Sequence, residues 1–178
     1  MSFINIEIKA KCFHPEKVEA FLIAAGARFV GLDRQKDSYF HVPSGRLKLR
    51  QGNIENSLIF YQRPDQEGPK QSDFHLSKIN DGIATEQLLA RALGIKVVVS
   101  KNRKIFYLNN VKFHLDEVPG LGSFVEIEAG NLTDPSKTVN DLKEQCAYFM
   151  RAFELREEDL INNSYSDMLL GLTNKPPV

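Results

Sequence analysis

The most constraining feature of this 178-residue sequence is a repeated alternation of charged and apolar residues. Near the start, isoleucine and alanine at even positions of 4–10 alternate with Asn5, Glu7, Lys9 and Lys11. A period of two is that of a β-strand whose two faces differ. Because later segments repeat the pattern, we expect a sheet with one apolar face and one charged face.

Four later segments carry a charged face of this kind. They contribute Arg46, Lys48 and Arg50; Lys101 and Arg103; Lys112, His114 and Asp116; and Glu126 and Glu128. Some of these faces are basic and others acidic. The sequence therefore predicts that bases and carboxylates meet on one side of the sheet.

The order of predicted elements repeats once along the chain. The strands are 3–11, 36–42, 46–51 and 57–63, then 72–78, 96–108, 111–118 and 123–129, with helices over 14–26 and 85–93. Each half thus reads β-α-β-β-β, with a loop at 64–71 between the halves. Eight mainly antiparallel strands with flanking helices predict an α+β fold built around a large curved sheet or a closed barrel. We expect the closed barrel, because closure leaves no exposed sheet edge.

The C-terminal part adds helices over 134–153 and 164–170. We expect one tunnel-like domain over 1–173 and a disordered tail over 174–178. The 23 basic and 23 acidic residues give no basic excess, which argues against a nucleic-acid partner.

Localisation is predicted from what the sequence lacks. Cys12 and Cys146 are too few for a disulfide framework and favour a reducing compartment. We see no secretory signal, and no apolar run approaches the roughly 18 residues that span a bilayer. The expectation is a cytoplasmic protein without a membrane partner.

The charged face has two interpretations. In a barrel covered by helices, the apolar faces turn outward and the charges line a lumen. Lysine and arginine there would bind phosphate oxygens, and carboxylates would bind Mg²⁺ or Mn²⁺, which suits a polyphosphate ligand. The same alternation is typical of an antiparallel sheet with one face in water, and the pattern alone leaves both open.

The residues also resemble a known family. Residues 5–11 resemble the Glu-x-Glu-x-Lys signature of the CYTH superfamily, the triphosphate tunnel enzymes. These include class IV adenylyl cyclases, thiamine triphosphatases and inorganic triphosphatases. Further segments that resemble the family are 37–40, 47–50, 100–103, 115–128 and 164–170. The last of these resembles the closing helix of the class IV cyclase-like branch.

The resemblance implies a role for each matching residue. The implied metal ligands are Glu7, Asp116, Glu126 and Glu128. The implied substrate-binding residues are Lys9, Lys11, Lys48, Arg50, Lys70, Lys101 and Arg103. Among them, Lys9, Arg50, Lys101 and Arg103 are the predicted catalytic residues. The implied cofactor is divalent Mg or Mn.

Three positions depart from the family pattern. Asn5 stands where the family usually has a glutamate, so one negative charge is missing. Lys11 replaces a common arginine, which exchanges a planar fork for a point charge. Gln62 stands where many members have a lysine, and Arg63 or Lys70 is the candidate to supply that charge.

The resemblance implies an enzyme of the lyase type, an adenylate cyclase that binds ATP and forms cyclic AMP and pyrophosphate. One alternative is an inorganic or thiamine triphosphatase, because the same cradle would hold those triphosphates. Another alternative is a non-catalytic module that binds a nucleotide or polyphosphate. The likeness to the cyclases also suggests a homodimer.

Overall fold

The computed structural model describes residues 4–62 and 73–173. Its strands are β1 (Asn5–Lys11), β2 (Arg28–Phe40), β3 (Arg46–Gln51), β4 (Ser57–Gln62), β5 (Asp73–Lys78), β6 (Ile95–Leu108), β7 (Val111–Val118) and β8 (Gly122–Gly130). Its helices are α1 (Pro15–Ala24), α2 (Gly82–Leu93), α3 (Val139–Ala152) and α4 (Tyr165–Thr173), with a short 3₁₀ turn at Glu157–Asp159. No helix in these two described stretches is long and apolar enough to cross a bilayer.

The eight strands form one antiparallel sheet in the order β1-β8-β7-β6-β2-β3-β4-β5. This order is symmetrical about the β6–β2 pair, so that β7 matches β3, β8 matches β4 and β1 matches β5. The predicted β-α-β-β-β repeat and the α+β class are therefore confirmed.

The sheet curls into a half-barrel rather than closing completely. Within the described residues, β1 and β5 end the sheet order and do not pair with each other. The outer edge of β1 is taken instead by the chain before α4. Ala10 bridges Leu160, and the backbone N–H of Ile161 donates to the carbonyl of Lys9 at 2.8 Å. An edge covered in this way is not available to a closing strand.

The main core lies on the outer, helix-covered face of the sheet. Alternate residues of β1, β7 and β8 meet α1 and α3 there. The fully buried members of this core include Ala10, Leu22, Phe113, Val125, Ile127, Ala129 and Leu142. Because the apolar faces turn outward to the helices, the opposite faces of these strands turn into the concave side of the sheet. This is the lumen interpretation of the alternation.

Strand β2 is longer than predicted, since it begins at Arg28 rather than near residue 36. Its first part was missed because it buries polar side chains, Asp33 and Gln35, where a strand pattern leads one to expect apolar ones. Helix α2 also starts earlier than predicted, at Gly82, after Asp81 accepts a hydrogen bond from the backbone N–H of Ala84. The predicted loop at 64–71, residue 72 and the predicted tail at 174–178 lie outside the described residues.

Candidate functional site

The concave side of the sheet encloses a cavity of about 810 Å³. Ligand sites typically measure about 300–1,000 Å³. The predicted site residues that line it are Glu7, Lys9, Lys48, Arg50, Lys101, Arg103, Glu126 and Glu128. They come from β1, β3, β6 and β8, so the curl of the sheet brings together side chains that are far apart in sequence.

One group of cations surrounds a single carboxylate on β2. Arg50 binds both carboxylate oxygens of Asp37 at 2.9 Å, and the Nζ of Lys101 lies 2.8 Å from Oδ2. The Nζ of Lys48 lies 3.6 Å from the same oxygen. Burial alone would raise the pKa of Asp37, but Lys101, Lys48 and Arg50 hold it well below its usual range.

The cations of this group outnumber its carboxylate. Burial lowers the pKa of Lys101 to about 7, with a further contribution from Arg103, although Asp37 opposes the shift. Three basic side chains surround Asp37, and a second carboxylate, Glu55, accepts from Arg50 at 2.8 Å, so basic groups still outnumber acidic ones in a desolvated place. An incoming anionic ligand would relieve that excess, and lysine and arginine are the side chains that bind phosphate oxygens.

A second group centres on Arg103 of β6. Its guanidinium donates to Asp116 at 2.7 Å through Nε and to Glu126 at 2.9 Å through Nη2. Lys9 reaches the other oxygen of Glu126 at 2.9 Å. Burial alone would raise the pKa of Glu126, but Arg103 and Lys9 hold it well below its usual range. Two of the four predicted metal ligands are thus already neutralised by basic side chains.

The other two predicted metal ligands face each other across the β1–β8 pair. Glu7 is the register partner of Glu128, and Asn5 lies two residues before Glu7 and lines the same cavity. Burial and the neighbouring Glu7 raise the pKa of Glu128 to about 7, although Lys112 opposes the shift. Half-buried carboxylates whose charges repel are a donor set that a hard divalent cation stabilises.

His114 lies beside this acidic pair and is 2% exposed. One ligand atom each from His114, Glu126 and Glu128 lies within 4.8 Å of the others. Its Nδ1 is 2.9 Å from a Glu126 oxygen, and among the described residues its Nε2 has no hydrogen-bond partner. Burial and Arg103 lower the pKa of His114 to about 4, so the ring is neutral at pH 7 and Nε2 offers a lone pair when Nδ1–H donates to Glu126.

Helix α4 closes one side of the cavity, as the predicted helix over 164–170 suggests. The hydroxyl of Tyr165 donates to Asp116 at 2.8 Å, and its ring packs against Phe124. The ammonium of Lys9 lies 4.2 Å from the centre of the same ring. Tyr165 therefore holds Lys9 and Asp116 in position from outside the sheet.

The opposite part of the cavity is much less polar. Strand β4 contributes Ser57, Ile59 and Tyr61, and β5 contributes Leu76 and Lys78. Ile54 and Ile79 add further apolar surface. Among the described residues, β4 offers no counterpart to the carboxylates of β8, although it holds the equivalent place in the sheet.

Two predicted site residues do not line the cavity as expected, and a third is not among the described residues. Lys11 is exposed at the end of β1, beyond the cavity edge. Asp116 is buried beneath Arg103 and Tyr165 and is not among the lining residues. Lys70, together with Arg63, lies outside the described residues.

Five residues of the site were given no site role from the sequence: Asp37, Glu55, Lys112, His114 and Tyr165. Lys112 and His114 were placed only on a charged strand face. The alternation in β2 and β7 carried enough signal to select Asp37 and Lys112. Tyr165 was noted only as part of a matching segment. Glu55 gave no signal, because it reaches the cavity from the turn between β3 and β4, where no strand periodicity applies.

Comparison with known proteins agrees with this geometry. The chain matches the CYTH domain family over residues 4–165. The fold is an eight-stranded antiparallel half-barrel, and its lumen carries both basic and acidic side chains. These features place the protein in the class of tunnel-like proteins. The chain is a member of the CYTH family.

Individual relatives extend the comparison. A Methanocaldococcus jannaschii protein named "Putative adenylate cyclase" is 25% identical, with 93% of this chain and 98% of that protein covered. A Pyrococcus horikoshii structure superposes with a TM-score of 0.78 at 27% identity, covering 92% of this chain and 98% of that one. A Hippeastrum structure shares the fold, with a TM-score of 0.63 at 15% identity over 98% of both chains, and that protein is described as having a dominant triphosphatase activity.

Membership has consequences at the level of the family. CYTH proteins bind triphosphates, and CYTH enzymes are generally metal-dependent. The names among the relatives include both adenylate cyclase and triphosphatase.

Proposed function

We propose that this protein is a metal-dependent enzyme that converts ATP to cyclic AMP and pyrophosphate. The observation that carries the proposal is the division of one cavity into a basic centre, an acidic wall and an apolar wall. Each part suits one portion of a metal–nucleotide complex. The basic centre suits the three phosphates, the acidic wall suits the metal, and the apolar wall suits the base.

The basic centre would bind and orient the phosphate chain. Donors come from β3 and β6, through Lys48, Arg50, Lys101 and Arg103. Phosphate oxygens would compete with Asp37 for the first three and with Asp116 and Glu126 for Arg103. In the reaction, the ribose 3′-hydroxyl releases its proton to solvent and its oxygen forms a bond to the α-phosphorus. The bond from the α-phosphorus to the oxygen that bridges it to the β-phosphorus breaks, and pyrophosphate leaves with that oxygen. Negative charge develops on the departing pyrophosphate, and preorganised cations stabilise it.

The acidic wall would hold the divalent cation. Glu7 and Glu128 are the carboxylates that we assign to it, because they are register partners whose mutual repulsion a divalent cation would relieve. Asn5 can add an amide oxygen but no charge. A bound Mg²⁺ or Mn²⁺ would neutralise phosphate charge and act as a Lewis acid.

The apolar wall is the reason for proposing a nucleotide rather than inorganic triphosphate. Ile59, Tyr61 and Leu76 offer surface that a purine ring could cover, whereas an inorganic substrate has no group to place there. Burying such a planar group is favourable in proportion to the apolar area removed from water.

A triphosphatase is the second candidate. In that reaction water would attack the terminal phosphorus of a triphosphate held by the same cations. It is favoured by the compactness of the basic centre, which alone would suffice to hold a phosphate chain, and by the activity named for the Hippeastrum neighbour.

One product assay separates the candidates. Purified protein is incubated with ATP, inorganic triphosphate and thiamine triphosphate in the presence of Mg²⁺ or Mn²⁺. Cyclic AMP with pyrophosphate supports the cyclase, and orthophosphate without cyclic AMP supports the triphosphatase. Binding without turnover supports the non-catalytic module. The predicted homodimer stays a prediction, which sedimentation of the same sample tests.

Matched variants tie any activity to the cavity. Lys48→Met removes a cation of the basic centre, and we expect turnover to fall at least tenfold, because one phosphate contact is lost. Lys104→Met removes a lysine from the outer face, where it pairs with Glu19, and should leave turnover unchanged. An equal loss of turnover in both variants, or no loss of turnover in either, would contradict the proposed site.

A further inference from the structure

The carboxylate of Glu55 lies between two cations of the cavity that belong to different strands. Its Oε2 accepts a hydrogen bond from Arg50 of β3 at 2.8 Å, and its Oε1 accepts one from Lys112 of β7 at 3.1 Å. Gln35 donates to Oε2 at 3.1 Å. Two further strands, β6 and β2, separate β3 from β7 in the sheet, so Glu55 connects cations that the sheet itself does not bring into contact.

The turn that carries Glu55 is firmly anchored. Asp33, which is fully buried, accepts hydrogen bonds from the backbone N–H of Ile54 at 2.8 Å and of Glu55 at 3.0 Å. A Cβ at Gly52 would meet a carboxylate oxygen of Asp33 at 2.5 Å, so only glycine lets the turn sit this close. The backbone thus holds Glu55 at the cavity rim.

The side chain of Glu55 is more accessible than the other carboxylates that pair with the cavity cations. It is 27% exposed, against 7% or less for the side chains of Asp37, Asp116 and Glu126. Those three belong to strands, whereas Glu55 belongs to a turn. Glu55 is therefore the carboxylate that a ligand can displace without moving the sheet.

Arg50 and Lys112 offer the donors that phosphate oxygens require, and a carboxylate is a smaller anion of the same charge sign. Burial alone would raise the pKa of Glu55, but Lys112 and Arg50 lower it to about 2, so its charge is present at any physiological pH. The pair of cations is thus an anion site that a residue of the protein fills.

We propose that Arg50 and Lys112 form an anion subsite at the end of the phosphate path, and that Glu55 fills this subsite and disfavours phosphate chains long enough to reach it. This rests on the proposed function, because it takes the cavity to be a phosphate site. A pyrophosphate bound at the basic centre stays clear of Lys112. A fourth phosphoryl group extends towards Lys112 and meets Glu55.

Calorimetric titration with pyrophosphate, triphosphate and tetraphosphate in Mg²⁺ tests the proposal. For Glu55→Gln we expect tetraphosphate to bind about tenfold more tightly, which corresponds to about 1.4 kcal/mol. Pyrophosphate affinity should change less than twofold. Glu55→Asp keeps the charge but shortens the side chain by one methylene, so it should also favour tetraphosphate.

Two further variants control for trivial explanations. Glu117→Gln removes an exposed carboxylate from β7 and should leave all three affinities unchanged. Adding Lys112→Gln to Glu55→Gln should abolish the gain for tetraphosphate, because the subsite then lacks one of its cations.

One contrary result is an equal gain in affinity for all three ligands in Glu55→Gln, with no gain in affinity in Glu55→Asp. It would mean that only the long-range charge of Glu55 matters, and it would overturn the subsite. Unchanged affinities in both variants, with normal triphosphate binding by the wild type, would also overturn it while leaving the proposed function intact. Failure of the wild type and both variants to bind any of the three ligands would overturn both.

Discussion

The two halves of the sheet share one strand order but present different chemistry to the cavity. Strands β8 and β4 occupy equivalent places, yet β8 contributes Glu126 and Glu128 where β4 contributes Ile59 and Tyr61. The same holds at the ends of the sheet, where β1 contributes Glu7 and β5 contributes Leu76. The backbone repeat therefore forms a symmetrical cavity, and the side chains make its two walls chemically different.

Because the two halves differ in this way, one repeated backbone can recognise a molecule with two unlike ends. Carboxylates on one wall favour a metal and its phosphates, whereas apolar side chains on the other favour an organic group. The cations lie between the two walls, on β3 and β6. Substitutions of Arg103, Glu128 and Ile59 test the charge pairing, the acidic wall and the apolar wall separately.

Arg103→Met should have the largest effect. It leaves Asp116 and Glu126 buried without the guanidinium that pairs with both, and uncompensated buried charge costs about 3–5 kcal/mol of unfolding free energy. Urea denaturation measures the loss. The matched control is Lys104→Met, the next residue of the strand, whose lysine is 40% exposed and should cost less than about 1 kcal/mol. Similar values for both would mean that the inner pairing adds no stability.

Glu128→Gln should weaken Mn²⁺ binding at least tenfold, about 1.4 kcal/mol, because it removes a charged ligand from the acidic wall. It should not lower stability, since ionisation of Glu128 is already disfavoured by burial and by Glu7. Titration followed by electron paramagnetic resonance measures free Mn²⁺. Glu117→Gln, at an exposed site on β7, is the control and should bind Mn²⁺ like the wild type.

The pH dependence of Mn²⁺ binding should report the same carboxyl group. The pKa of Glu128 is raised to about 7, so below that pH the metal must displace a proton. Mn²⁺ affinity should therefore fall about tenfold per pH unit below 7 and level off above pH 8. The Glu128→Gln protein should lack this step. A wild-type profile that is flat between pH 6 and 8 would contradict a metal-linked titration of Glu128 near pH 7.

Ile59→Asn should have the smallest effect and should act on the other wall. It places a polar amide where we propose that the base packs, so ATP affinity should fall about fivefold, near 1 kcal/mol. Inorganic triphosphate, which has no base, serves as the internal control and should bind unchanged. Equal weakening of both ligands would mean that β4 contributes to the phosphate site instead.

Much of this arrangement follows from alternation. The charged faces of β1, β3, β6 and β8 were predicted correctly because apolar neighbours on these strands must face the helices. The same reasoning failed at Lys11, since a strand can extend beyond the cavity while its periodicity continues. It also could not find Glu55. The position of Glu55 depends on a turn that is held by Asp33, which lies 22 residues earlier in the sequence.

Alternation also says nothing about which opposite charges pair. The prediction treated Glu7, Asp116, Glu126 and Glu128 as one set of metal ligands. In the folded chain, Arg103 pairs with Asp116 and Glu126. Glu7 and Glu128, which we propose for the metal, are register partners in the neighbouring β1–β8 pair. Pairing depends on strand order and register, which become known only when the sheet is assembled.

The most direct test of the two-walled cavity is a crystal structure with Mn²⁺ and the non-cyclisable analogue α,β-methylene-ATP. We predict an anomalous Mn²⁺ peak at Glu7 and Glu128, phosphates along Arg50, Lys101 and Arg103, and the adenine against Ile59 and Tyr61. A metal bound at Asp37, or an adenine lying against the β1–β8 wall, would contradict the account.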